Sequence, residues 1–198
     1  MEGIGMHESK QAARRALLDA RTAMPGEARA AADVATWKAL RDFLIEVVDE
    51  GATVAAYRPF GAEPGSTLEP ELPERLAVVY RVLLPVLLPD NDLAWERVEA
   101  DGAQEDAAAA GDPGEAPEPA RIEDAAAVIV PGLAVSYDGI RLGRGGGSYD
   151  RALARVGPQV PVVALLRDPE LGIEVPAEPH DRPVTGVITP AKGFVSLR

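Results

Sequence analysis

Short apolar runs recur along this chain, with helix-forming stretches before the first and between several of the others. TVAAY stands at 53–57, RVLLPVLLP at 81–89, AAAVIVPGLAV at 125–135, PVVALL at 161–166, GVIT at 186–189 and GFVSL at 193–197. Runs this short, apolar on both faces and bounded by turn residues, read as buried strands. Strands alternating with helices can bury both faces only as a mostly parallel sheet covered on each side, a three-layer α/β/α domain. LAWERVE at 93–99 alternates apolar and polar residues and reads as one more strand. Pro85 sits badly in its run, since it cannot donate to a ladder.

The helices expected between these strands follow from periodicity and from stop signals. Ser9 is a candidate N-cap for a helix over 10–22, with Pro25 beyond its end. A second helix runs over about 27–50, with Trp37, Leu40, Leu44, Val47 and Val48 on one face and Gly51 as terminator. A third is expected over 68–80, restricted at its start by Pro70 and Pro73. A fourth is expected over about 148–156. The 198 residues suffice for one domain, 1–198, with 46% apolar residues to build its core.

Charge is uneven. The chain carries 20 Lys and Arg against 32 Asp and Glu, a net of −12. Residues 99–124 hold nine of those acids and one arginine. Their Ala, Gly, Pro and acid content over about 100–121 cannot bury enough apolar surface to order itself, so an exposed acidic loop inside one domain is expected. No broad basic face is evident, which argues against nucleic acid. There is no cysteine, so neither disulfides nor thiolate metal sites are available. No apolar run is long enough to span a membrane, and the start, MEGIGMHESKQAARR, has no signal-peptide core. A cytoplasmic monomer is the expectation, with small molecules as partners and neither nucleic acid nor membrane.

Against this acidic background stands GIRLGRGGGSYD at 139–150, with five glycines and two arginines before Asp150. It follows a strand and precedes a helix, the position where open α/β sheets bind ligands. Glycines let backbone N–H groups approach phosphate oxygens, and a helix N-terminus favours negative charge. Arg141 and Arg144 can add charge-assisted bonds, and Asp150 can hold a magnesium ion bridging the phosphates. Two familiar patterns fail: the dinucleotide fingerprint breaks at Ser148, and no Lys-Ser or Lys-Thr follows the loop. Glycine content alone leaves open a mobile turn with incidental arginines.

The segment VIVPGLAVSYDGIRLGRGGGSYDRAL, residues 128–153, closely resembles the central motif of the 5-formyltetrahydrofolate cyclo-ligase (methenyltetrahydrofolate synthetase) family. Three further segments match in order: KQAARRALLDAR at 10–21, AAYRPFGAEPGS at 55–66 and PAEPHDRPVTGVITP at 176–190. The resemblance implies conversion of 5-formyltetrahydrofolate to 5,10-methenyltetrahydrofolate with ATP as co-substrate, magnesium as cofactor, and release of ADP and phosphate.

It also implies roles for particular residues. Lys10 and Arg14 match a pair that reaches ATP phosphates; their spacing of four puts them on one helix face. Arg141, Leu142, Gly143, Arg144, Gly145, Gly146, Gly147, Ser148 and Tyr149 match the ATP-binding loop. Glu63, with Gly146, Gly147 and Tyr149, matches the folate site, and a carboxylate suits the N–H donors of a pterin. Arg144 and Asp150 match catalytic positions, and Asp150 and Asp181 match magnesium ligands. Each has a plainer alternative: a solvated helix face for Lys10 and Arg14, a loop carboxylate in water for Glu63 and Asp181, packing at a helix start for Tyr149, a first-turn acid for Asp150. Two histidines and no cysteine make a zinc site improbable; His7 falls in a loose terminus and His180 serves only to order its neighbour.

The chain departs from the family at Ser148, where many relatives carry tyrosine, at Thr185, often acidic, and around Glu118-Pro119, where an apolar stretch is usual. Two other readings stand beside the family one. The chain is then a folate or nucleotide binder with weak catalysis, or a sugar-phosphate isomerase-like enzyme on a similar sheet that needs no ATP.

Overall fold

The computed structural model describes residues 2–98 and 120–197, with side chains from Ser9 onward. The expected acidic loop at about 100–121 lies almost wholly outside the described residues, as do Glu118-Pro119.

The sheet has seven strands. In chain order they are β1 (Thr53–Ala55), β2 (Arg81–Leu87), β3 (Leu93–Arg97), β4 (Ala127–Pro131), β7 (Val162–Leu165), β8 (Gly186–Thr189) and β9 (Gly193–Ser196), arranged β3-β2-β1-β4-β7-β8-β9. The inner pairs β2-β1-β4-β7-β8 are parallel, and antiparallel β3 and β9 close the two edges. The remaining strands, β5 (Ala134–Val135) and β6 (Arg141–Leu142), form a small separate hairpin.

Strand alternation sorts the core into two layers. Val54, Ile129, Val163, Leu165 and Ile188 pack on one face with Leu40, Phe43 and Leu44 of α2 (Gly26–Val47) and Leu72 and Leu76 of α3 (Leu72–Ala77). Ala55, Val128, Val130, Val162, Ala164 and Val187 pack on the other, against Ala152 and Leu153 of α4 (Ser148–Leu153). Both faces of the parallel strands are therefore apolar, as their unbroken runs require. The three-layer α/β expectation holds.

α1 (Glu2–Ala23) does not cover the main sheet. Its Ala13 and Leu17 pack instead with Ala134, Ile140 and Leu142 of the hairpin, so the helix lies beside the glycine loop.

Local differences from expectation have local causes. α1 runs through Ser9 instead of starting there, because no proline interrupts residues 2–23. α3 is six residues long rather than thirteen: Pro73 sits in its first turn, and the chain before it is turn. Pro85 is tolerated because the β1–β2 ladder ends at Leu83, leaving Pro85 paired only with Trp95 of β3. The expected strand over 125–135 divides, its end Ala134–Val135 pairing with Arg141–Leu142 of the expected loop as the β5–β6 hairpin, for which Asp138-Gly139 between apolar residues was a signal. Gly139 takes φ +82°, and a Cβ there would stand 2.6 Å from the Val184 carbonyl oxygen.

Candidate active site

A cleft of about 640 Å³ opens at the carboxyl ends of β1 and β4. Every sequence-proposed residue lines it: Lys10, Arg14, Glu63, Arg141 to Asp150 and Asp181. Open α/β sheets bind ligands at this end because loops from neighbouring strands diverge there. Among the described residues no helix is long and apolar enough to cross a membrane.

One wall is the glycine loop. Gly145 at φ +107° and Gly147 at φ +68° take left-handed conformations that side chains rarely adopt, which turns the loop into α4. Arg14 reaches across from α1 and donates from Nε to the Gly143 carbonyl at 2.9 Å. Lys10, one turn earlier, is buried and donates to Glu178 Oε1 at 2.8 Å.

Arg141 is held more firmly than the sequence suggested. Its side chain is buried; Nη1 donates to the Pro131 carbonyl at 3.2 Å and Nη2 lies 3.5 Å from Asp150 Oδ1. The guanidinium sits 5.4 Å over the ring of Tyr149. Burial pushes the Tyr149 phenol well above its usual range, and the Arg141 charge offsets only part of that. Asp150, in the first turn of α4, also accepts from the Arg182 backbone N–H at 3.2 Å. The segment carrying Asp181 is thereby tied to the helix carrying Asp150.

Arg144 is not pointed at open solvent. It donates to Glu63 Oε1 from Nη2 at 3.0 Å and from Nε at 3.3 Å, and stacks 4.5 Å over Phe60. Its side chain is 48% exposed while that of Glu63 is 5% exposed, so a buried carboxylate meets a reachable guanidinium. Sequence reasoning gave these two residues to different substrates, and they touch across one cleft.

Three ligating groups converge on the far wall. Glu178, His180 and Asp181 offer atoms within 4.8 Å of one another. His180 Nε2 lies 3.3 Å from Glu178 Oε2 and 4.0 Å from Asp181 Oδ1. Asp150 and Asp181 present carboxylate oxygens, the donor type that magnesium prefers. Asp181 shares the converging group with Glu178 and His180, and Asp150 is not part of it; two carboxylates with one imidazole suit a hard or borderline ion better than a soft metal.

Sequence reasoning missed several residues of the cleft. Arg21 continues the Lys10–Arg14 face of α1 by two more turns, and that spacing was a usable signal. It is buried against Glu170, with two contacts of 2.7 Å, and donates to the Gly132 carbonyl at 2.6 Å. Burial opposes its charge, but the Glu170 contacts outweigh that and raise its pKa. Tyr57 lines the cleft with its hydroxyl buried and, among the described residues, without a hydrogen-bond partner. Burial, reinforced by Glu63, lifts its phenol well above the ordinary value. Leu84, Pro85 and Leu87 of β2 form an apolar wall near Phe60, and no motif announces it. Arg58 at the rim is held by Glu71 and, at 2.6 Å, by Glu74.

The fold and cleft define an α/β enzyme that gathers basic groups beside a glycine loop. The profile of the 5-formyltetrahydrofolate cyclo-ligase family matches residues 6–190, and the chain belongs to that family. A 5-formyltetrahydrofolate cyclo-ligase of Mycolicibacterium smegmatis is 39% identical over 196 residues, covering 96% of this chain and 98% of its own. The 5,10-methenyltetrahydrofolate synthetase of Aquifex aeolicus superposes with a TM-score of 0.73 at 27% identity, covering 96% of this chain and 93% of its own. That of Mycoplasma pneumoniae gives a TM-score of 0.73 at 21% identity, covering 91% and 98%, a likeness of fold.

Proposed function

We propose that this enzyme converts 5-formyltetrahydrofolate to 5,10-methenyltetrahydrofolate in the cytoplasm, as a monomer, consuming ATP with magnesium and releasing ADP and phosphate. The observation that supports it most is the Arg144–Glu63 contact. It joins a cationic, glycine-rich half of the cleft to a half with a buried carboxylate and an apolar wall. A triphosphate suits the first half, and a flat heterocycle bearing N–H donors suits the second.

The formyl oxygen is a poor leaving group. Transfer of the ATP γ-phosphoryl to that oxygen gives an imidate-like phosphate and ADP. N10 of the folate then bonds to the activated carbon, N10 gives up its proton, and the oxygen departs with phosphate. The chain's task is positioning and charge neutralisation, so no protein nucleophile is needed. Lys10, Arg14 and Arg144 hold phosphate oxygens, and the glycine loop lets backbone N–H groups approach them. Arg141 adds its charge to the same phosphates and also fixes Asp150 and Tyr149, which it contacts. Asp150 and Asp181 would hold the magnesium, which when bound neutralises charge on the transferring phosphoryl group. Glu63 accepts from the pterin N–H groups, and Phe60, Leu84 and Leu87 offer apolar cleft surface to the ring.

The test is near-ultraviolet absorbance of the methenyl product, followed with 5-formyltetrahydrofolate in the presence and absence of ATP. Growth that requires both ATP and magnesium is expected. Binding of both substrates without growth would make the chain a non-catalytic binder, and turnover indifferent to ATP would overturn the phosphoryl-transfer reading.

A further inference from the structure

The loop that carries Glu63 has neither helix nor strand between Ala56 and Glu71, only turns, in which the Phe60 backbone N–H donates to Glu63 Oε2 at 3.1 Å. A carboxylate that must meet a substrate to within a few tenths of an ångström needs some other means of fixing its backbone. Two charged side chains outside the cleft supply it. Asp33 of α2 is wholly buried. Its Oδ1 accepts from the Gly65 backbone N–H at 2.8 Å, and its Oδ2 accepts from the Thr67 backbone N–H at 3.0 Å and the Thr67 hydroxyl at 2.7 Å. Arg167, just beyond β7, donates to the Glu63 carbonyl at 3.2 Å and the Ala62 carbonyl at 3.4 Å. The two side chains then close on each other, Arg167 Nη1 lying 2.6 Å from Asp33 Oδ1.

A buried ion pair of this kind is weak evidence for stability, because desolvating two charges offsets most of their attraction and an apolar pair of equal volume does as well. Here four further hydrogen bonds of the pair go to the backbone on either side of Glu63 and one to the Thr67 hydroxyl, while Arg167 Nε has no partner among the described residues. We propose that Asp33, Arg167 and Thr67 are positioning residues for the reaction, which set the height and direction of the Glu63 carboxylate in the cleft. The proposal rests on the reading of Glu63 as the folate-binding carboxylate. None of the three lines the cleft, and their side-chain hydrogen bonds reach it through the Glu63 loop, so the effect expected of them is on the folate and not on ATP.

The experiment is a double-mutant cycle of Asp33→Asn with Glu63→Gln, read as separate KM values for 5-formyltetrahydrofolate and ATP and as calorimetric binding of 5-formyltetrahydrofolate. Asp33→Asn keeps the shape but offers an N–H₂ where the loop needs an acceptor. A rise of about tenfold in the folate KM is expected, with the ATP KM unchanged, since small misplacements of a binding group cost on that order or more. In the Glu63→Gln background the same change should raise the folate KM no further. Thr67→Val should give a smaller rise and Thr67→Ser should restore the wild-type value. This pair removes and returns one hydroxyl at an exposed residue, so it decides the matter if Asp33→Asn does not fold. A folded Asp33→Asn with a normal folate KM, effects that multiply in the cycle, or an equal rise in both KM values would overturn the positioning role. An unchanged folate KM in Glu63→Gln alone would overturn the reading of Glu63 itself, which is a separate result.

Discussion

Replacing Arg21 by methionine should destabilise the protein severely, although Arg21 belongs to no motif. Its side chain and that of Glu170 are each 3% exposed, so water screens neither charge. Two contacts of 2.7 Å bind the guanidinium to both carboxylate oxygens. Without Arg21, Glu170 keeps, among the described residues, only the Arg167 backbone N–H as a donor, at 2.7 Å, and the Gly132 carbonyl loses a side-chain donor. Removing one partner of a buried pair costs about 3–5 kcal/mol. That is a large share of the roughly 5–15 kcal/mol by which a domain is stable. At about 2–4 °C per kcal/mol for a chain of this size, the melting point should fall by roughly 6–20 °C. Arg41–Asp42 provides the control, because those side chains are 51% and 54% exposed. Arg41→Ala should cost at most about 1 kcal/mol. The assay is denaturant unfolding of both variants, with Arg21→Met/Glu170→Leu as a third. Removing both charges should recover much of the loss, because the penalty belongs to the stranded carboxylate. An Arg21→Met variant as stable as Arg41→Ala would refute the reasoning, and so would a double variant worse than the single one.

Two shorter predictions address the cleft. Arg144→Ala should weaken binding of a non-hydrolysable ATP analogue by about 10- to 100-fold, the range of a lost charge-assisted bond, with a much smaller change for folate; equal calorimetric losses for both ligands would show that Arg144 serves Glu63 rather than phosphate. Tyr57→Phe should leave stability at neutral pH unchanged or raised, since its hydroxyl is buried without a partner among the described residues. The folded-state pKa values of Tyr57 and Tyr149 lie above the ordinary phenol value of about 10, so the stability they contribute is complete below that pH and is lost as pH rises beyond it. Tyr57→Phe should make the alkaline fall in unfolding free energy shallower, and an unchanged slope above pH ~10 would show that Tyr57 ionises freely in the fold.

The sequence by itself determined what its local chemistry can encode. Apolar runs such as VVAL at 162–165 are buried on both faces, so a parallel sheet between helices was legible before any coordinates. The glycine loop was legible too, because left-handed backbone at Gly145 and Gly147 needs glycine whatever surrounds it. So was the cationic face of α1 through Lys10 and Arg14, since helical spacing alone aligns them. Tertiary structure decided which of these pieces meet. Glu63 and Arg144 are 81 residues apart, Asp33 and Arg167 are 134 apart, and Arg21 and Glu170 are 149 apart. Those distances close only when the strand order sets β1, β4 and β7 side by side and the β5–β6 hairpin draws α1 against the glycine loop. A side chain's charge and reach are properties of its own residue. Its partner and its burial are set by the sheet order, and so the ion pairs that hold the Glu63 loop left no mark in the local sequence.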